Sequence, residues 1–288
     1  LGNGLLALAV TTLVAADPLI ASQFPLTMLD SLQLLFLLVT FTLLLRGRLV
    51  LAGLAFGLFS ETKFPILGLP VAILACLFLW RTTRSVKKLL LFFTATTFAY
   101  LLPYTYYFLL GHNILDWLGV QKWIATFYAN SNLTPNVGSA LSALLVGRYQ
   151  NLFTKVWQMV PEWSPTWTVV TILAASGAAR SLSGKWLLVS GFTLFSLLFF
   201  AIIPFWTRYL VLLLPFFYLT ATKLIATLTP KLQMFLFGLL LISNIAVSNR
   251  VLFPTPESMV KQFVYNWRYG FFHDVYEDLT QASKTQSP

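Results

Sequence analysis

Apolar residues fall along this chain in long runs separated by short polar breaks. The runs predict nine helical spans, at roughly 3–16, 30–45, 49–61, 64–80, 89–110, 166–180, 186–203, 208–228 and 232–248. The 32 residues of 49–80 lie between two basic breaks and are short for two full crossings, which need roughly 40. They predict a short hairpin whose tip, Ser60-Glu61-Thr62-Lys63, stays within the membrane surface, with Pro65 and Pro70 helping to break the helix. A single long tilted helix is the other reading.

The longest connection runs from His112 to about Pro165. Within it, residues 139–160 (SALSALLVGRYQNLFTKVWQMV) predict an amphipathic helix lying in the membrane interface. Leu141, Leu145, Tyr149, Leu152, Val156 and Val160 form one face, and Arg148, Asn151, Lys155 and Gln158 the other. A packed loop helix is the alternative. After Arg250 the chain turns polar. The pattern divides it into a membrane domain over 1–250 and a segment, 251–288, that reads as a linker and the start of a soluble extracytoplasmic domain.

Composition agrees with the pattern. The chain is 58% hydrophobic and 10% charged over 288 residues, far from the balance of a water-soluble domain. The expected fold is an all-α polytopic bundle of about nine spans. The first span is under way at Leu5 with no charged segment before it, so the expectation is a chain that lacks its natural N-terminal part. The one cysteine, Cys76, can form no intrachain disulfide.

The net charge of +10 would suit nucleic acid, but its placement points elsewhere. Base clusters in short breaks, at Arg46 and Arg48, at Arg81, Arg84, Lys87 and Lys88, at Arg180 and Lys185, and at Lys231. If these face the cytoplasm, all nine acids fall on the outer side, as the bias of Lys and Arg in membrane topology requires. The charge is therefore a topology signal, and no nucleic-acid partner is expected. The localisation that follows is an integral membrane protein of the plasma (inner) membrane with its working side outward.

Candidate chemistry gathers at that outer level. The chain has no phosphate-binding glycine loop and no serine elbow, and its two histidines cannot make a multi-histidine zinc site. What remains are charged residues at outer helix ends: Asp30 at the start of the second span, Lys63 at the hairpin tip, and Arg208 with Tyr209 at the start of the eighth. A carboxylate beside several cations suits a phosphate-bearing lipid head group and a hydroxyl acceptor. Asp17, Glu61 and Arg148 are secondary candidates. Each also has a plainer role: Lys63 and Arg208 as snorkelling bases, Asp17 as a cap for the turn at Pro18, Glu61 as a partner of Lys63, Asp30 as a helix N-cap.

Three stretches carry a resemblance. FPLTMLDSLQLLFLLVTFTLLLRGR, then LAGLAFGLFSETKFPILGLP, and later TRYLVLLLP, are similar in order and spacing to the membrane-bound GT-C glycosyltransferases, in the branch of protein O-mannosyltransferases and aminoarabinose transferases. The likeness covers residues 1 to about 250. It implies transfer of a sugar, with inversion, from a polyprenyl-phosphate donor to a lipid or protein acceptor outside the membrane. By the same resemblance Asp30 matches an outer-loop catalytic acid, Lys63 the lysine near the lipid phosphate, and Arg208 with Tyr209 a further phosphate contact. The class admits a divalent metal, though no ligand set in the sequence calls for one. The family's principal acid lies in an earlier loop that this chain does not contain, so the resemblance implies that residues 1–288 alone are inactive. A transporter or lipid flippase is the rival reading, since it too needs polar groups in the membrane.

Overall fold

The computed structural model describes residues 3–23, 29–62, 68–130, 136–151, 155–203 and 206–253. Two compact units divide at Ser248 and Asn249. Of the second, residues 249–253 are described, as the last residues of a helix and its exit. The polar segment 254–288, like Lys63, lies outside the described residues.

The first unit is a helical bundle. In chain order its helices are α1 (Asn3–Ala15), α2 (Pro18–Gln23), α3 (Leu29–Leu45), α4 (Leu49–Thr62), α5 (Gly68–Thr83), α6 (Val86–Leu101), α7 (Thr105–Leu109), α8 (Ile114–Asn130), α9 (Ser139–Val146), α10 (Pro165–Ala179), α11 (Trp186–Ile202), α12 (Leu210–Ile225) and α13 (Pro230–Leu252). Each of the nine expected spans coincides with an apolar helix. Length corrects the count. Val86–Leu109, Thr207–Ile225 and Pro230–Leu252, of 24, 19 and 23 residues, are long and apolar enough to cross a membrane by length and composition. The other six are helices of 10–17 residues. At about 1.5 Å per residue they fall short of a hydrocarbon core of about 30 Å.

Local chemistry sets the boundaries. After α3, Gly47 takes φ 71°, its N–H bonds the Leu44 carbonyl, and the Arg48 N–H bonds that of Leu43. This is a Schellman stop, and glycine fits its left-handed position without strain. It turns the chain straight into α4, so α3 and α4 pack side by side. Pro103 sits in a 3-10 turn, Leu102–Tyr104, that joins α6 to α7.

Close approach then replaces bulk. Gly53 and Gly57 stand one turn apart on α4, and both face α6. A Cβ at Gly53 would run into the Phe92 carbonyl, and one at Gly57 into the Thr96 carbonyl. This is the small-xxx-small spacing that lets membrane helices touch backbone to backbone. At the centre lies α12, buried on nearly every side, with α10, α11, α1 and α3 around it. Phe41 of α3, Phe192 of α11 and Phe216 of α12 meet at ring separations of 4.6–5.7 Å, locking three helices together.

The expected interfacial helix over 139–160 is corrected. Helix α9 ends at Val146, and the chain continues as a hairpin of β1 (Arg148–Gln150) and β2 (Trp157–Met159), antiparallel with Tyr149 opposite Gln158. Gly147 is the reason. It takes φ 68°, and a Cβ there would press on the Trp163 ring at 2.6 Å. The helical periodicity read across it was an accident of two short elements.

Substitution tests the glycine contact. Gly57→Val should lower the thermal stability of the solubilised protein by about 1–3 kcal/mol or more, the cost of overpacking. Gly238→Ala is the control, because a Cβ there meets nothing within 4 Å. A melting scan in which both variants match the parent would remove the α4–α6 contact as a determinant of the fold.

Candidate functional site

The buried stripe of α3 runs through Asp30, Gln33, Leu34, Leu37, Thr40, Phe41 and Leu44. Leucine and phenylalanine fill most of it, and its first turn is polar. Asp30 is 1% exposed and Gln33 fully buried. Gln33 Nε2 donates to the Phe59 carbonyl of α4 at 3.4 Å, and its Oε1 is buried with no hydrogen-bond partner among the described residues.

Arg208 reaches Asp30 from a distant part of the chain. It sits in the 3-10 turn Thr207–Tyr209 that leads directly into α12. Because α12 packs on α3, that turn lands at the start of α3. Arg208 Nε lies 3.9 Å from Asp30 Oδ2. This is ion-pair range, longer than a hydrogen bond. The guanidinium also rests over the Trp206 ring at 4.8 Å and stands 6.0 Å from that of Tyr209. A planar cation held between an aromatic face and a buried carboxylate is oriented as well as charged. Arg208 remains about one-third exposed, at 32%. The expected grouping of Asp30, Arg208 and Tyr209 is therefore a spatial cluster.

The secondary candidates go elsewhere. Asp17 is fully buried between α1 and α2. Its Oδ1 accepts from the Leu19 and Ile20 amides, at 3.0 and 3.2 Å, and so caps α2. Its Oδ2 accepts from Trp167 Nε1 of α10 at 2.8 Å and from the Tyr218 hydroxyl of α12 at 2.7 Å. Asn244 of α13 donates to that same hydroxyl and to the Leu13 carbonyl, and Ser248 donates to the Ala16 carbonyl. Both carboxylate oxygens are thus committed to holding helices together. Glu162, half-buried in the loop before α10, lies near enough to feel that charge. Burial pushes its carboxyl up, and the Asp17 carboxylate adds to the rise.

Glu61, at the end of α4, meets the Tyr104 hydroxyl. Arg148 is exposed on β1 and pairs by backbone with Met159, so it does not join the Asp30 cluster. Among the described residues, no group of three or more His, Cys, Asp and Glu could hold a metal ion. The sequence reading missed Gln33, Trp167, Tyr218 and Asn244. Their signal was a polar or hydrogen-bonding group inside an apolar run, where it needs a partner.

No family model, curated protein or solved structure matches this chain.

The Asp17 network makes a measurable demand. Asp17→Ala strips partners from four donors at once, and a buried donor left unpaired costs about 1–3 kcal/mol. Thermal unfolding followed by tryptophan fluorescence should show a loss on the order of 3 kcal/mol or more. Asp17→Asn, which keeps an oxygen for the α2 cap, should lose less. Equal stability of the alanine variant and the parent would reduce Asp17 to a bystander.

Proposed function

We propose that this chain is the membrane domain of a GT-C-like glycosyltransferase, which moves a sugar from a polyprenyl-phosphate donor to a hydroxyl acceptor on the extracytoplasmic face. The observation that carries the reading is the meeting of Asp30 and Arg208 at one end of the bundle, from two helices far apart in sequence. In this layout all nine apolar helices cross or enter the membrane, the short ones in a locally thinned or protein-lined region, and the basic clusters face the cytoplasm.

The chemistry is a single displacement. The acceptor oxygen attacks the anomeric carbon as the bond from that carbon to the phosphate oxygen breaks. The electron pair leaves with the polyprenyl phosphate, and the acceptor's proton passes to a base. Arg208, with Lys63, would stabilise the charge that builds on the leaving phosphate. Burial of Asp30 and its approach to Arg208 refine its part. It acts as a positioning residue that fixes the guanidinium, rather than as the base in contact with the acceptor. A divalent metal is compatible with the class, and no step here passes through one.

The layout is open to labelling. Single cysteines at 113–130 should react with an impermeant maleimide from outside, and those at 83–86 only after permeabilisation. Outside labelling of 83–86 would invert the arrangement.

Asp30 separates a site from a cap. Asparagine caps a helix about as well as aspartate, so Asp30→Asn should insert and fold. Sugar transfer, normalised to inserted protein, should nevertheless fall by about 10²-fold, since the cation is no longer held by charge. Arg208→Lys, which keeps charge but loses the planar fork, should also reduce turnover, with the larger part of the loss in kcat. Near-normal turnover of Asp30→Asn would leave the proposed site without its centre.

A further inference from the structure

The basic breaks of the sequence meet at the end of the bundle opposite Asp30. Arg208, at the entry to α12, lies 3.9 Å from Asp30, and the Phe216 ring of α12 lies 5.3 Å from that of Phe41. Helices α3 and α12 therefore run parallel and finish at one end. The Gly47 turn starts α4 there. Gly53 and Gly57 face the Phe92 and Thr96 carbonyls, so α6 runs parallel to α4 and begins beside it. Gly177 of α10 faces the Thr220 carbonyl, and Lys223 Nζ stands 4.5 Å from the centre of the Trp186 ring. The end of α10 and the start of α11 thus lie at the end of α12. This end gathers Arg46 and Arg48, then Arg81, Arg84, Lys87 and Lys88, then Arg180 and Lys185, and finally Lys223 and Lys231.

No acid occurs within 46–48, 81–88, 180–185 or 223–231. Every one of these bases is exposed except Lys223, which is half-buried. Among the described residues none of them stands in an ion pair. Arg84 takes φ 45°, a left-handed position of the kind that Gly47 and Gly184 fill in the neighbouring turns, at φ 71° and 54°. Glycine fits there without strain and arginine does not, so a base stands in this turn at a conformational cost. The rim beside these bases is apolar. Trp80, next to Arg81, is 49% exposed, and Val86 and Leu90, on either side of the two lysines, are 58% and 62% exposed.

We propose that this end of the bundle is a docking surface for the head groups of anionic glycerophospholipids. Charge complementarity carries the inference. Unpaired lysines and arginines beside a membrane attract lipid phosphates, and a guanidinium can hold a phosphate by two hydrogen bonds. The bases stand where the apolar helix sides end, which is the level of the phosphates in a bilayer. A tryptophan at that border, as Trp80 is, suits the region between acyl chain and head group. A soluble polyanion would meet only the bases that point away from the membrane. A phospholipid reaches those at the rim as well, and its chains cover the exposed Val86 and Leu90. Lipid selection needs no sugar transfer, so this inference and the transferase reading fail separately.

The test is electron spin resonance on the full chain reconstituted in phosphatidylcholine bilayers. Trace spin-labelled phosphatidylglycerol or spin-labelled phosphatidylcholine is added, and the motionally restricted fraction gives their relative affinity for the protein. Phosphatidylglycerol should be preferred about threefold or more, as attraction by several bases requires. The preference should fall toward equality in about 1 M NaCl, where the screening length is about 3 Å. Replacing Arg81, Arg84, Lys87 and Lys88 together by Gln should lower it, while Lys122→Gln, on α8, should not. If the fourfold variant does not insert, Lys185→Gln combined with Lys223→Gln decides the question in the same assay. Three results would each overturn the proposal: equal restriction of the two lipids, a preference unchanged in the multiple variants, or its abolition by glycerol phosphate or a short oligonucleotide at equal ionic strength, which would assign the surface to a soluble anion.

Discussion

Helices surrounded by lipid gain little by hiding apolar surface from one another, because acyl chains are as apolar as leucine. What selects one arrangement is polar groups that must find partners and backbones that can come close. The Asp17 carboxylate does the first of these here. It draws the α2 amides, the Trp167 indole and the Tyr218 hydroxyl onto its two oxygens, and Asn244 extends the network to α13. A charge in that position with any donor missing would be costly, so α1, α2, α10, α12 and α13 must assemble together. Gly53 and Gly57 do the second, by seating α4 on α6.

Helix α12 links this scaffold to the candidate chemistry. Its middle carries Tyr218, fixed by Asp17, and its entry turn carries Arg208, which faces Asp30. The same rod is thus anchored at depth and presents a cation at its end. The aromatic contacts of Phe216 with Phe41 and Phe192 hold α3 and α11 against it. Asp30 therefore inherits its position from the packing of α12 on α3.

How much of this the sequence disclosed depended on the range of the interaction. The apolar runs marked the nine helices within a few residues, since periodicity and hydropathy are local. The stop after Arg46-Gly47-Arg48 was equally legible. The grouping of Asp30 with Arg208 came from shared membrane level rather than from any local signal, and the packing of α12 on α3 brings the two together. The hairpin over 148–159 was misread as helix because its side chains happen to fall at helical spacing, and the decisive fact, the pressure of Trp163 on Gly147, is a contact across 16 positions. Helix α8 was not foreseen at all. Its residues are mixed in polarity, and Trp117 meets Tyr100 of α6 and Tyr104 of the 3-10 turn only once the chain is folded. Asp17 was foreseen as a cap, which accounts for one of its oxygens; Trp167 and Tyr218, the partners of the other, lie 150 and 201 positions away.

The exposure of residues 114–126 of α8 divides the molecule thermodynamically. Most helices share several walls with neighbours, so they can open only when much of the bundle opens with them. Over residues 114–126 of α8 only Trp117 and Gln121 are half-buried and the rest are exposed, which places this stretch toward the low end of the local stability spectrum. Its amide protons would then exchange through a private opening rather than through global unfolding. Anything that bound the closed form would deepen that opening free energy by RT ln(1 + [L]/Kd), leaving the core helices untouched. The chain thus carries, within one polypeptide, a segment whose exchange rate is free to respond to occupancy while the scaffold beneath it stays silent.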